Sequence, residues 1–140
     1  MAITFENTIY DDIMETLAKL INDEFSVPVY YDEHKGNQSF LLAPESDTLV
    51  TNLSSGVQRE YTINITCQLK IGGQYNKNNM KTITQVLERL KRLIYDNKLY
   101  SNGSVWFDAN ISDIEYERDT DDATILRGIG TFNCQNIEVT

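Results

Sequence analysis

An alternation of fifteen residues, Val57 to Ile71, constrains this chain more than any other stretch. Val57, Tyr61, Ile63, Ile65, Cys67, Leu69 and Ile71 fall on one side of an extended backbone. Gln58, Glu60, Thr62, Asn64, Thr66, Gln68 and Lys70 fall on the other, and only Arg59 interrupts the apolar set. Side chains alternate across a strand with period two, so the pattern predicts a strand with one buried and one wet face. Such a run spans roughly 50 Å at about 3.3 Å per residue, longer than most strands. The length predicts a strand that bends, or one that reaches past its own domain toward a neighbour.

The remaining segments read around that strand. Asn7–Phe25 has Ile9, Ile13, Leu17, Leu20 and Ile21 at helical spacing, and Ser26-Val27-Pro28 ends it because the residue before proline avoids the helical region. Val27–Asp32 and Ser39–Ala43 read as two short strands of a hairpin, joined by a turn that carries His34. Pro44–Gly56 reads as a long loop in which Thr48-Leu49-Val50 is apolar enough to form a brief strand or to dock on a partner. After Gly72-Gly73 and Tyr75, a second helix covers Met80–Asn97, with Met80, Ile83, Leu87, Leu90 and Ile94 in one stripe and Asn97 as a left-handed cap. Val105, Phe107, Ala109 and Ile111 then alternate with Trp106, Asp108 and Asn110, which places Trp106 on the polar side. The phase slips at Ser112-Asp113, as a bulge would produce. A turn at Asp119–Asp122 leads to a last strand, Ala123–Asn136, with Leu126, Phe132 and Cys134 on one face and Ile125, Arg127 and Ile129 on the other. Apolar residues on both faces predict a central strand or one covered by a neighbouring subunit. The expectation is one domain spanning residues 1–140, of the α+β class: an antiparallel-rich or mixed sheet with two amphipathic helices on one face.

Composition narrows the function classes. The 140 residues suffice for a core without staples, and the net charge of −9 disfavours a nucleic-acid binder that relies on a basic patch. Like-charged walls that let DNA pass without sticking remain compatible with it. Cys67 lies on the apolar face of its strand, where a free cysteine acts as a small hydrophobe; a pairing with Cys134 stays open at this level. The N-terminus predicts no signal peptide, and no apolar run has the roughly 18 residues of a membrane span. His34, the only histidine, reads as a solvated turn residue. Glu115, Glu117, Asp119, Asp121 and Asp122 form an acidic cluster without the spacing of a calcium loop, and no phosphate-binding glycine motif occurs. No catalytic, cofactor-binding or metal-ligating set emerges. Trp106, and tyrosines such as Tyr75, read instead as partner contacts.

Segments spread over nearly the whole chain resemble the tail terminator proteins of long-tailed bacteriophages. They are the first helix, VPVYYD, SFLLAP, REYTINITCQLKI, ITQVLERLKRLIYDN, WFDANISDIEYERD and TILRGIGTFNCQ. Neck and head-completion proteins share similar designs. The resemblance implies a virion protein of the tail-neck region, assembled in the host cytoplasm. It implies a self-assembled ring, a hexamer, that caps the tail tube protein, stops tube growth and presents a joint to the head-neck connector protein. DNA would pass through its lumen without specific binding. Under that reading Gln58, Thr62, Asn64, Thr66 and Gln68 are candidates for a face toward the lumen or a neighbouring subunit. Trp106, Ile125, Arg127, Ile129, Leu49, Val50 and Tyr75 are candidate interface residues. Two other classes stay open: a monomeric binding module using the sheet face or the Tyr75 loop, and an enzyme with a carboxylate-only site at Asp108, Asp113 and Glu115.

Overall fold

The computed structural model describes residues 3–33, 38–70, 79–122 and 124–139. His34, Gly72, Gly73 and Tyr75 lie outside the described residues. The chain opens with a π-helical segment, Thr8–Met14, that runs into helix α1, Glu15–Phe25. Strands β1 (Val29–Tyr30), β2 (Gln38–Leu53) and β3 (Gly56–Lys70) follow, then helix α2 (Asn79–Asp96) and strands β4 (Phe107–Arg118) and β5 (Ile125–Val139). The five strands form one mixed sheet in the order β1-β2-β3-β5-β4. The α+β class and the antiparallel-rich sheet agree with the sequence pattern.

The alternation in β3 becomes a buried face made of Tyr61, Ile63, Ile65 and Cys67. Ile13, Leu17 and Ile21 from the N-terminal helical segments and Ile83, Leu87, Leu90 and Ile94 from α2 join the same core. Both helices therefore cover one face of the sheet, because their apolar stripes and the strand's apolar face can only be dried against each other. Strand β5 lies between β3 and β4, as its two-faced sequence predicts. Gly128 lets α2 press close. A Cβ there would lie 2.4 Å from Leu87 Cδ2 and 2.9 Å from Leu87 Cγ.

Three expectations change. First, β1 pairs with β2 in parallel, Val29 opposite Phe40 and Tyr30 opposite Leu41, so these strands are not a hairpin. Turn residues between two strands announce a reversal only when the strands then meet antiparallel. Here β2 has β3 as its antiparallel partner, and β1 takes its other edge. Second, Pro44–Gly56 is not a loop. β2 continues through it to Leu53, pairs with β3, and reverses at Ser54-Ser55. Its ladder shifts between Pro44 and Ser46 and again between Leu49 and Thr51. Bulges absorb the proline, which has no donor for the ladder. Third, the left-handed cap falls on α1 rather than on α2: at the end the sequence marks for α1, Ser26 is left-handed at φ 55° and donates its N–H to Asn22 O at 2.9 Å. Asn97 does not take that conformation at the end of α2. It donates its side-chain amide to Leu93 O at 2.9 Å instead.

Cys67 and Cys134 are both free and buried. Cys134 stands opposite Tyr61 and Cys67 opposite Gly128, six positions apart along the ladder. That separates them by about 20 Å along the strands, far beyond disulfide reach. Burial pushes both thiols up to about 12.

The Gly128–Leu87 contact is testable. Gly128→Ala should cost about 1–3 kcal/mol in urea unfolding through overpacking. Combined with Leu87→Ala, the loss should fall clearly below the sum of the single losses. Additive losses would show that the close approach of α2 is not what requires glycine at this position.

Candidate functional site: the helix-free sheet face and the projecting arm

No concave cluster of reactive groups stands out, and among the described residues no three potential metal ligands converge. Two surfaces carry the unusual features instead. The first is the sheet face opposite the helices. Gln58, Thr62, Asn64, Thr66 and Gln68 all lie there, half-buried, as the alternation of β3 requires. Gln58, Thr62 and Gln68 are tied by side-chain hydrogen bonds to β5 across the sheet. Gln58 pairs with Gln135. Thr62 Oγ1 donates to Asn133 Oδ1 at 2.9 Å. Asn133 Nδ2 in turn donates to Ser112 Oγ at 2.9 Å and Asn110 Oδ1 at 3.3 Å. At the other end Arg127 Nε donates to Gln68 Oε1 at 3.2 Å. The polar part of the face thus consists of three separate hydrogen-bonded groups, around Gln58, Asn133 and Arg127, with Ile125, Ile129 and the exposed Ile137 among them.

Ile125, Arg127 and Ile129 lie on this same face, half-buried in mid-sheet. Arg127 is held on three sides. Its guanidinium meets Asp119 Oδ2 at 2.7 Å and Glu117 Oε1 at 3.6 Å, besides Gln68. Two of the five carboxylates in the acidic cluster, Glu117 and Asp119, are thereby paired with Arg127. Asp119 Oδ1 accepts the N–H groups of Asp121 at 2.8 Å and Asp122 at 3.3 Å. Asp122 Oδ1 accepts from Thr124 N at 3.0 Å and Oγ1 at 2.6 Å. These backbone donors, and then Arg127, hold the Asp119 carboxyl below its ordinary range. Asp108, Asp113 and Glu115 are exposed along β4 and make no convergent site.

Trp106 is not a surface anchor. It is fully buried. Its indole N–H donates to Asn97 O at 2.7 Å, and its ring packs edge-on against Phe132 with centroids 5.3 Å apart. The reason is local. Asp108 is left-handed at φ 52°, and the β4 ladder shifts between Phe107 and Asn110. That irregularity lets Trp106 and Ala109 share the buried side although they are three residues apart. A second shift, between Ile111 and Asp113, falls where the alternation slips in sequence.

The second surface is the arm, the distal part of β2 carried on β3, which is itself backed along its other edge by β5 as far as Val139. Ten successive residues, Pro44 to Leu53, are exposed along β2. Leu49 and Val50, both read as candidate contacts, are 46% and 47% exposed there, and Leu53 is 41% exposed. Arg59 breaks the apolar face of β3 because it belongs to the arm. It bonds Asp47 Oδ1 across the strands at 2.6 Å. Tyr61, at the base of the arm, donates its hydroxyl to Glu138. The arm is the feature that sequence reasoning missed. The signal for it was the length of β3, since a strand of fifteen residues needs an equally long partner.

No protein-family model and no curated protein matches the chain. Solved structures do. A chain of the virion of a native gene transfer agent particle superimposes with a TM-score of 0.57 at 10% identity, covering 93% of this chain and 92% of that one. A second solved chain, 9% identical, covers 99% of each with a TM-score of 0.50. At such identities the shared property is the fold.

Asp119→Asn separates the charge from the turn geometry. A carboxylate whose pKa is depressed on folding stabilises the fold above its unfolded value and loses that contribution as pH falls through the folded value. The variant should therefore be less stable than the parent at pH 7, and the gap should close below about pH 4. A deficit that persists unchanged at pH 2.5 would assign the effect to the turn rather than to the carboxylate charge.

Proposed function

We propose that this chain is a structural virion protein that caps the end of a phage tail tube as a ring. In this reading the ring is a homo-hexamer. It ends tube polymerisation, forms the joint to the head-neck connector, and surrounds a lumen through which DNA passes. It acts by assembly, without catalysis, cofactor or metal. The observation that carries the reading is the likeness, over nearly the full length of both chains, to a chain of a gene transfer agent virion. The sequence resemblance to tail terminators points the same way and supplies the finer role.

Two physical features support it. A closed ring needs heterologous contacts, in which one patch meets a different patch on the next copy. A projecting arm with exposed Leu49, Val50 and Leu53 suits such a contact. A lumen for DNA needs a wall that does not hold phosphate. The helix-free face suits that role, with its neutral hydrogen-bonded groups and with Glu60, Asp113, Glu115 and Glu117 outnumbering Lys70 and Arg127.

Native mass by light scattering, alone and with preassembled tail tubes, tests the reading together with negative-stain images of the mixture. A ring in solution, or added density at one tube end only, is the expected result. A monomer that ignores the tubes overturns it and favours a monomeric binding module. Gln68→Lys probes the lumen assignment: it should leave the cap intact yet impair DNA delivery. Unchanged infectivity of tails built with this variant would remove the helix-free face from the lumen.

A further inference from the structure

We propose that the arm of one copy docks in the groove between the C-terminal end of α2 and β4 on the next copy. This rests on the ring reading above and names the contact that closes it.

The arm combines apolar and acidic groups. Leu49, Val50 and Leu53 are exposed beside Glu45 and Asp47. Its outer edge is also open. β1 pairs only with Phe40 and Leu41, so among the described residues no strand covers β2 beyond them. An open edge with exposed apolar side chains is an adhesive element that a soluble monomer would normally blunt.

The groove offers the complement. A cavity of about 120 Å³ opens between Lys91, Ile94, Tyr95 and Lys98 of the α2 end and Ala109 to Ile111 of β4. Tyr95 is 62% exposed and Leu99, just beyond, 58%. Lys98 Nζ lies 4.5 Å from the centroid of the Tyr95 ring, which keeps cation and ring side by side. Glu88, one turn earlier on the helix, accepts from Lys91 at 2.8 Å. Even so, Lys91 and Lys98 line the groove and Arg92 stands beside it, in a chain of net charge −9. This is where the arm's Glu45 finds attraction, Asp47 being already engaged by Arg59. The β4 edge is the alternative landing site, and there Asp113, Glu115 and Glu117 would repel it.

Topology makes the contact intermolecular. The arm springs from β2 and the groove borders β4, with β3 and β5 between them. Three strand spacings, about 14 Å, separate the two edges, and the arm runs on beyond the helix-covered core. Each copy therefore presents the arm at one edge and the groove at the other. Repetition of that pairing is head-to-tail, the arrangement that closes into a ring.

The test uses the full chain, alone and on preassembled tail tubes. Val50→Cys and Tyr95→Cys are made in separate copies, mixed and oxidised; the native thiols are buried and stay out of the reaction. The mixture should give an intermolecular disulfide, and Val50→Cys alone should not. In parallel, Lys91→Glu with Lys98→Glu should weaken ring or cap formation by about tenfold or more, because like charges then face each other. Adding Glu45→Lys should recover part of that loss, while a thermal melt of each variant confirms the fold. Rings or caps that form at full strength without the mixed disulfide overturn the docking site and leave the ring reading standing. A chain that assembles neither alone nor on tubes overturns both.

Discussion

Fifteen consecutive residue pairs join β3 to β5, from Gly56 opposite Val139 to Lys70 opposite Ile125, without a single shift. The rest of the structure depends on this ladder. A slip of one residue would send every side chain of a strand to the other face. With the register held, Tyr61, Ile63, Ile65 and Cys67 share a face with Leu126, Phe132 and Cys134, and that face becomes the core. The opposite parity sends Thr62 and Asn133, or Gln68 and Arg127, to the helix-free side, where they bond to each other. Gly128 and Gly130 belong to the core side and remove bulk where α2 crosses. A side chain at Gly128 would hold the helix off the sheet and open the core beneath it.

Irregularity is confined to the flanking strands. β2 and β4 each shift register twice against partners that stay straight. On β4 the bulges twist and shorten an edge that also carries carboxylates, two of the devices that keep sheet edges from pairing with other chains. On β2 the bulges accompany the change from buried strand to exposed arm, and the edge is left apolar at Leu49, Val50 and Leu53. The two edges of one sheet are thus treated in opposite ways. One is guarded by charge and the other is left open to association.

How much of this was legible follows from which level of physics decides each element. The β3 strand and α2 were readable because their burial is one-sided and periodic, so Ile63, Ile65, Ile83 and Leu87 report their own faces. The bulge near Ser112 was readable as a break in that period. Trp106 was not. Its direction is set by the left-handed Asp108 two residues later and by an acceptor, Asn97 O, on the end of another helix. Neither is visible in an alternating pattern. The arm was hidden by composition, since Glu45-Ser46-Asp47 and Asn52 to Gly56 carry loop residues. Pairing with β3 overrides that local preference, as context commonly does for strands. The parallel β1 was hidden because turn chemistry reports a change of direction and not the partner that a strand will find. Of the candidate contacts, Leu49 and Val50 are exposed as expected, Ile125, Arg127 and Ile129 are half-buried in mid-sheet, and Trp106 belongs to the core.

Charge ties the two surfaces together. A chain of net charge −9 repels its own copies, so association needs local attraction strong enough to offset that repulsion. The positive charge is concentrated on α2, outside the sheet face, and Arg127 on the sheet face is already engaged by Asp119 and Glu117. Arg127, the mid-sheet cation of the helix-free face, is thereby engaged, and Thr62, Asn133 and Ser112 beside it bond to one another. A surface of this kind, with its cation engaged and its carboxylates in excess, has little to gain from phosphate. In the proposed ring, contact between copies runs through the arm and the α2 end, which carry exposed apolar area and charges of opposite sign. The separation has a physical basis: the groups that would make a wall adhesive are spent on the turn beside it, and the groups that would make a joint are carried on the helix and the arm.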